Sequence, residues 1–453
     1  MGAILKNVMG KLKFVIPLVL LAACAAWAVP AILQAMPSRY VARLPEPLQQ
    51  LGQPPEQAPT LPTVAAPVGA QALLGSAAPV ITAGKRTAGA APLSPTPPPT
   101  EVPAGATAVA TAPPAPSPTP PPTPTPWPLP NAVRLEGISH KFQSWNNCGP
   151  ATLAMALTYF DVNVTQEETA AFLKPDPEDR NVSPHEMAAY VNTQTPYRAL
   201  FRANGEAEML RRFVAHGIPV IVEIGIEPPG EYRWMGWYGH YLLMVAYDDG
   251  LQQFWVYDSW FGTSAEPLQN AHPDGRILTY ADLEVYWPHF NRNYIALYRP
   301  EQAGLVAEII DPDQDDEPMW RRALARVQAE TAQAPENPFF WFNLGTIYNA
   351  LGQPAEAAAA FDQALAIGLP WRMLWYQFGP YEAYFATGRY ADVLLLADVT
   401  LQNRPYFEES FYYKGLAHAA LGDTRSARAN LEKALAFNPN FTPAAVALAD
   451  LEE

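Results

Sequence analysis

Cysteine is nearly absent from this chain. Cys24 and Cys148 are its only two in 453 residues, so no disulfide framework of the kind that staples small exported domains is available. Positive charge is scarce as well: 29 Lys and Arg face 44 Asp and Glu, for a formal net charge of -15. That balance offers no electrostatic footprint for a phosphate backbone, and no nucleic-acid partner is expected. The 7 histidines are scattered. With neither a His-x-x-x-His spacing nor a second nearby cysteine, no metal or other cofactor is expected.

Proline is abundant but unevenly placed, with more than half of the 50 falling between Met36 and Asn131. Runs such as "APLSPTPPPTEVP" and "APSPTPPPTPTPWPLP" cannot donate ladder hydrogen bonds and read as an extended tether. Ahead of it, Lys6, Lys11 and Lys13 precede an uncharged run from Phe14 to Leu33, about the 20 residues that span a bilayer core. The basic flank predicts a single-pass signal anchor with the rest of the chain extracytoplasmic. Two alternatives stay open: lipidation at Cys24 in "LAAC", or cleavage near Trp27 to give a secreted protein.

From Val133 to Pro300 the sequence reads as an α+β unit. Early helices are marked by "CGPATLAMALTYF", by the capping boxes "TQEE" (Thr165 to Glu168) and "SPHE" (Ser183 to Glu186), and by "EAEMLRRFVAHG", closed at Gly217. Strand-like runs follow: "IPVIVEIGI", "HYLLMVAYDD", "QFWVYDSW" and "NYIALYR". An acidic connector, "DPDQDDEP", leads to three sequence repeats closed by Pro370, Pro405 and Pro439. Gly345, Gly379 and Gly415 hold one register, and Gly352, Gly388 and Gly422 another. A period of about 34 residues resembles the tetratricopeptide repeat, a helical solenoid whose groove binds peptides or partner proteins. The middle unit departs, with Pro380 in its first helix, and is expected to be kinked or loosely packed. The segments expected are thus an anchor over 1–36, a disordered linker over 37–130, the α+β unit over 131–300, an acidic linker over 301–318 and the repeats over 319–453.

A solitary thiol in an exported chain is a liability unless it is buried or useful. Cys148 sits in "QSWNNCGPA" where a helix begins, and a helix N-terminus favours thiolate. A cysteine nucleophile needs a base, and the base an orienting acceptor. His240 opens a strand after a Gly- and Trp-rich loop. A hairpin turning near Asp249 and Gly250 brings Asp258 close to it, a carboxylate between Tyr257 and Trp260 that would orient an imidazole. The Cys148 N–H and the Gln143 side chain are candidate oxyanion donors. Trp234 and Trp237, before His240, are open to either substrate lining or ordinary packing.

Gln143, "NNCGPA", "GHY" at Gly239 to Tyr241 and "YDS" at Tyr257 to Ser259 together resemble the papain-like cysteine peptidases. The resemblance is closest to peptidase family 39, the bacteriocin-processing double-glycine peptidases and their stand-alone relatives, over residues 136 to 300. It implies a papain-like fold with Cys148 as nucleophile, His240 as general base and acid, Asp258 as orienter and Gln143 as oxyanion donor, acting on a peptide or protein substrate. The sequence holds no exporter membrane domain or nucleotide-binding motif, so leader removal during export is not the expected role. The same triad would serve a thiol acyltransferase or transpeptidase, and a catalytically silent binding module on this fold is a third reading.

Overall fold

The computed structural model describes residues 60–63, 129–227, 236–263 and 275–451. The apolar run from Phe14 to Leu33, Cys24, Trp234 and the linker apart from Thr60–Thr63, Leu129 and Pro130 lie outside them. Among the described residues, no helix is long and apolar enough to cross a membrane.

The first globular region is built on a seven-stranded antiparallel sheet. Its strands are β1 (Ala132–Arg134), β2 (Arg198–Arg202), β3 (Val220–Ile226), β4 (Tyr238–Asp248), β5 (Gln253–Asp258), β6 (Arg276–Thr279) and β7 (Tyr294–Tyr298). The order is β2-β7-β3-β4-β5-β6, with β1 paired to the end of β4. Both faces are covered. Helices α1 (Cys148–Thr158), α2 (Gln166–Leu173) and α3 (Pro184–Gln194) bury Leu153, Met187 and Val191 against Ile221, Leu243 and Ile295. On the other face α4 (Ala207–Ala215) packs Leu210 and Phe213 against Val220, Val222 and Met244. All seven residues of β3 are buried, the continuous apolar pattern of a strand covered on both sides.

The capping signals hold at atomic detail. Thr165 and Glu168 form a reciprocal capping box at α2, Glu186 accepts the Ser183 N–H at 2.7 Å, and Gly217 ends α4 with φ +71°. Strands β1, β2 and β6 carry no local sequence signal of their own: each is short and takes its place by pairing with a strand distant in sequence. A last helix before the sheet closes is α5 (Tyr280–Tyr286). Two expected connectors differ from expectation. Residues 301–318 are largely helical, because α6 (Ala303–Ile310) buries Val306, Ile309 and Ile310 and the next helix starts at Asp316. Within the linker, the Leu61 N–H donates to the Leu369 carbonyl at 3.1 Å, and Leu61 is buried in the core of the repeats.

The C-terminal region is a run of helices: α7 (Asp316–Gln333), α8 (Pro338–Ala350), α9 (Pro354–Ile367), α10 (Gly379–Ala386), α11 (Tyr390–Asn403), α12 (Glu408–Ala420), α13 (Thr424–Phe437) and α14 (Thr442–Asp450). Gly345 lets α8 and α9 meet closely, since a Cβ there would lie 2.7 Å from the Phe361 ring. Such a helix pair cannot take a side chain at that point without repacking. The middle repeat is neither kinked nor loose. Pro380 stands at the start of α10, where its missing N–H costs nothing, and Tyr381, Ala383 and Tyr384 are fully buried. Its first helix is shortened instead, and residues 370–378 become a loop with one turn of 3-10 helix at Met373–Trp375.

That loop faces the peptidase-like region. Both regions belong to one compact unit. The Arg372 Nη1 donates to the Trp237 carbonyl at 2.9 Å, and the Gln377 Nε2 to the His289 carbonyl at 3.1 Å. Trp237 stacks between Phe290 at 5.9 Å and Phe339 at 5.7 Å, distances at which aromatic pairs add about 0.5–1.5 kcal/mol each. Arg326 reaches the Gly205 carbonyl and Glu206, and Arg292 pairs with Glu330 at 2.6 Å. Trp237 is therefore an interface residue, 4% exposed, which decides its role for packing.

Candidate active site

Cys148 is the first residue of α1, half-buried and outside any disulfide. The loop before it is braced from α2 by one side chain. Gln166 accepts the Ser144 N–H at 2.6 Å and the Asn147 amide at 3.3 Å, and donates to the Phe142 carbonyl at 2.9 Å. Asn146 takes a left-handed φ of +57°, which asparagine tolerates better than most residues. Gly149 gives the helix end its close approach: a Cβ there would meet Val182 at 3.1 Å and the Tyr241 ring at 3.5 Å. The Tyr241 hydroxyl in turn donates to the Val182 carbonyl at 2.6 Å.

His240 lies on β4 and Asp258 at the end of β5, one hairpin apart. Their pairing is diagonal, since Asp258 sits opposite Leu242 and side chains two positions apart share a face. The His240 Nε2 meets the Asp258 Oδ1 at 2.7 Å, and the ring also hydrogen-bonds the Cys148 side chain. Because Nε2 is occupied by the carboxylate, Nδ1 is the ring nitrogen left for sulfur. Burial alone would push the imidazole down. Asp258, through its charge and hydrogen bond, together with Cys148 outweighs that and raises His240 to about 10, so the ring is a protonated partner at neutral pH.

Asp258 is fully buried and saturated with donors. Its Oδ1 also accepts the N–H groups of Trp260 at 2.8 Å and Phe261 at 3.0 Å. Its Oδ2 takes the Arg276 Nη1 at 2.8 Å. Burial raises a carboxyl, but His240, Arg276 and the Phe261 N–H outweigh it and hold Asp258 well below the usual carboxylate range. Arg276, over the Phe261 ring at 4.4 Å, is a residue the sequence did not single out. It belongs to β6, and nothing local in "GRILT" indicates a partner 18 residues away across a strand pair.

Gln143 is held from both ends by Ser259, the residue after Asp258. Its N–H donates to the Ser259 carbonyl at 2.8 Å, and its Oε1 accepts the Ser259 hydroxyl at 2.8 Å. With the side-chain oxygen engaged, the amide NH₂ is the end turned to other work. His140, the nearest other histidine, binds the Asp258 carbonyl through Nε2 at 2.9 Å, and its pKa is lowered chiefly by burial. His140 thus shores up the backbone of β5 without touching the Asp258 carboxylate.

Residues 135–292, which hold all these groups, match the model of the Peptidase_C39 like family. Residues 340–367 and 408–441 match the tetratricopeptide repeat, and the middle unit with its shortened helix falls between them. The chain thus carries a C39-like peptidase domain followed by tetratricopeptide repeats. Among solved structures it is similar to a C39-like peptidase from Bacillus anthracis, 15% identical, with 37% of this chain and 98% of that one covered at a TM-score of 0.29. It is also similar to MamA, 15% identical, with 30% and 78% covered at a TM-score of 0.27. Among curated proteins, the Hsp70-Hsp90 organizing protein of Triticum aestivum is 32% identical over 102 residues. The chain spans 17% of that protein's length and 22% of its own in the match.

Proposed function

We propose that this chain is a cysteine peptidase, with Cys148 as nucleophile, His240 as general base and acid, Asp258 as orienting acid and Gln143 as oxyanion donor. One observation carries the reading: a single buried imidazole bridges the Asp258 carboxylate at 2.7 Å and the Cys148 side chain. In the reaction the Cys148 sulfur, beside an already protonated His240, attacks the substrate carbonyl as thiolate. The Gln143 amide and the Cys148 N–H receive the charge that develops on oxygen. His240 then gives its proton to the leaving amine, leaving an acyl-enzyme that water resolves. The fixed Asp258 acceptor keeps the ring turned toward sulfur in each step.

The test is alkylation of Cys148 by iodoacetamide across pH, in the full-length protein and in His240→Ala. The parent is expected to be alkylated faster at neutral pH than His240→Ala, because the protonated His240 beside the sulfur favours the reactive thiolate. A thiol that titrates identically in both would point to a silent binding module on a peptidase fold.

The same reading places the catalytic domain outside the cytoplasm, tethered through the run from Phe14 to Leu33, with the repeats presenting a protein substrate or partner. Full-length protein is expected to stay with membranes through an alkaline carbonate wash, and protein lacking residues 1–36 to be released. Retention of the truncated form would remove the anchor from the proposal.

A further inference from the structure

The linker meets the globular body long before it enters it. Thr60 and Pro370 form an antiparallel bridge, and the Leu61 N–H donates to the Leu369 carbonyl at 3.1 Å. Leu61 is 2% exposed within the apolar core of the repeats, while Thr60 and Thr63 beside it face solvent. One apolar side chain is thus inserted from an otherwise exposed segment. The bridge is confined to a single residue pair, because Pro62 and Pro370 have no N–H to carry a ladder further. Gly368 ends α9 at φ +119°, and a Cβ there would rest against the Thr60 methyl at 3.4 Å.

This is how an extended peptide adds to an exposed backbone edge: a main-chain hydrogen bond attaches it, and a slot for one side chain selects it. The edge is not part of the regular repeat, whose match stops at Ile367 and resumes at Glu408. It belongs to the irregular loop of the second repeat, and two residues beyond Pro370 the Arg372 side chain holds the Trp237 carbonyl. One loop therefore grips the linker at its start and the peptidase domain further on. The chain reaches the body again at Pro130, whose carbonyl accepts the Tyr247 hydroxyl at 2.7 Å. The 65 residues from Val64 to Pro128 extend to about 200 Å, so chain length does not prevent the contact. Linkage of this kind gives effective concentrations in the millimolar range. One leucine and one hydrogen bond then suffice within the chain, although they would bind feebly between separate molecules.

We propose that the edge at Gly368–Pro370 is a binding site for an extended Leu-Pro segment, occupied within the same chain by Thr60–Thr63 of its linker. Occupied, it makes the repeats the tethered end of the molecule. Residues 37–59 alone then set the distance from the anchor, at most about 70 Å at 3.1 Å per residue, against about 290 Å for the whole linker. Release of the segment lengthens the tether about fourfold and frees the edge. These lengths rest on the proposed anchor; the docking does not, and it is tested without a membrane.

The experiment uses the full-length chain carrying Cys24→Ser and Cys148→Ser, into which pairs of cysteines are introduced. Antiparallel partners stand about 4.5–5.5 Å apart at Cα, within reach of a disulfide. Thr60→Cys with Pro370→Cys is expected to close an intramolecular disulfide about tenfold or more faster than Ala70→Cys with Pro370→Cys. Adding Leu61→Asp is expected to slow the first pair to the rate of the second. Equal rates for the two pairs overturn the proposal, and that comparison leaves Leu61 in place. Disulfide-linked dimers in place of the intramolecular bond overturn it too, and give the site to a second copy. The edge itself is probed with the peptide N-acetyl-Ala-Pro-Cys-Leu-Pro-Thr-Val amide, captured by disulfide exchange at Pro370→Cys. Capture is expected when Leu61→Asp has vacated the edge, and about tenfold less with the native linker. The same peptide with aspartate in place of leucine is expected to be captured only at background. Capture that ignores the leucine overturns the site, and equal capture with either linker overturns its occupation within the chain. Docking that persists in a chain released by the carbonate wash would remove the anchor and leave the site standing.

Discussion

Replacing Cys148 with alanine is expected to abolish hydrolysis of a denatured protein such as fluorescein-labelled casein, by a factor on the order of 10⁴ or more. His240→Ala is expected to do the same. The two losses should not add, because nucleophile and base act as one unit joined by the hydrogen bond between them. Stability should barely move in Cys148→Ala: the thiol is half-buried, and removing one sulfur there costs no more than about 1 kcal/mol. The pairing of full inactivity with an unchanged urea midpoint is what separates a catalytic role from a structural one. Undiminished hydrolysis in either variant would end the proposed mechanism.

Asp258→Ala is expected to be the most damaging single change to the fold of the site, at about 3–5 kcal/mol measured by urea unfolding. The carboxylate is fully buried and receives Arg276, His240 and two backbone N–H groups. Removing it leaves two cations facing each other and two donors unpaired. The loss should also depend on pH with a definite sign. Asp258 is held well below its ordinary range, so its contribution is present above pH ~4 and fades as pH falls below that. His240 is raised to about 10, so its contribution is complete below pH ~6.5 and is lost as pH rises toward 10. The difference in stability between parent and variant should therefore plateau from about pH 4 to 6.5 and shrink on both sides. A difference that stays constant from pH 3 to 10 would mean the pair is not ionised.

Two buried acids run the other way. Burial raises Glu223 to about 8 and Glu186 to about 7, against the hydrogen bonds that lower them. A carboxyl kept neutral by the fold loses its contribution as pH rises through its folded value. Glu223 is held by the Asn293 amide at 2.7 Å, and Glu186 caps α3. Neither touches the triad, so their titration bears on the fold and not on the reaction.

How much of this was legible in the sequence follows from the range of each interaction. The capping boxes of α2 and α3, the start of α1 at Cys148 and the hairpin carrying His240 and Asp258 are set by residues within a turn or a strand of one another. Gly345 and Gly415 likewise record one contact, against Phe361 and Leu431 of the partner helix, while Gly379 meets Phe361 of the preceding pair. These are written into the local order of residues, and the expected elements stand where the sequence placed them. Residue types alone also selected Cys148, His240, Asp258 and Gln143, because a lone thiol at a helix start invites the question of its base.

The tertiary structure decided what sequence separation hides. Arg276 becomes the second partner of Asp258 through the β5–β6 pairing, and Ser259 turns the Gln143 amide across 116 residues. The clearest case is the middle repeat. Pro380 and the shortened helix read as a defect when the solenoid is taken by itself, since a repeat that breaks its pattern packs less well. In three dimensions residues freed by that break, within Trp371 to Gln377, are among those that meet the peptidase domain: Arg372 bonds the Trp237 carbonyl and Gln377 the His289 carbonyl. Periodicity registers only that the pattern stops there. What the departure achieves depends on contacts with Trp237, Gly239 and Arg180, more than a hundred residues earlier, and only packing brings those together.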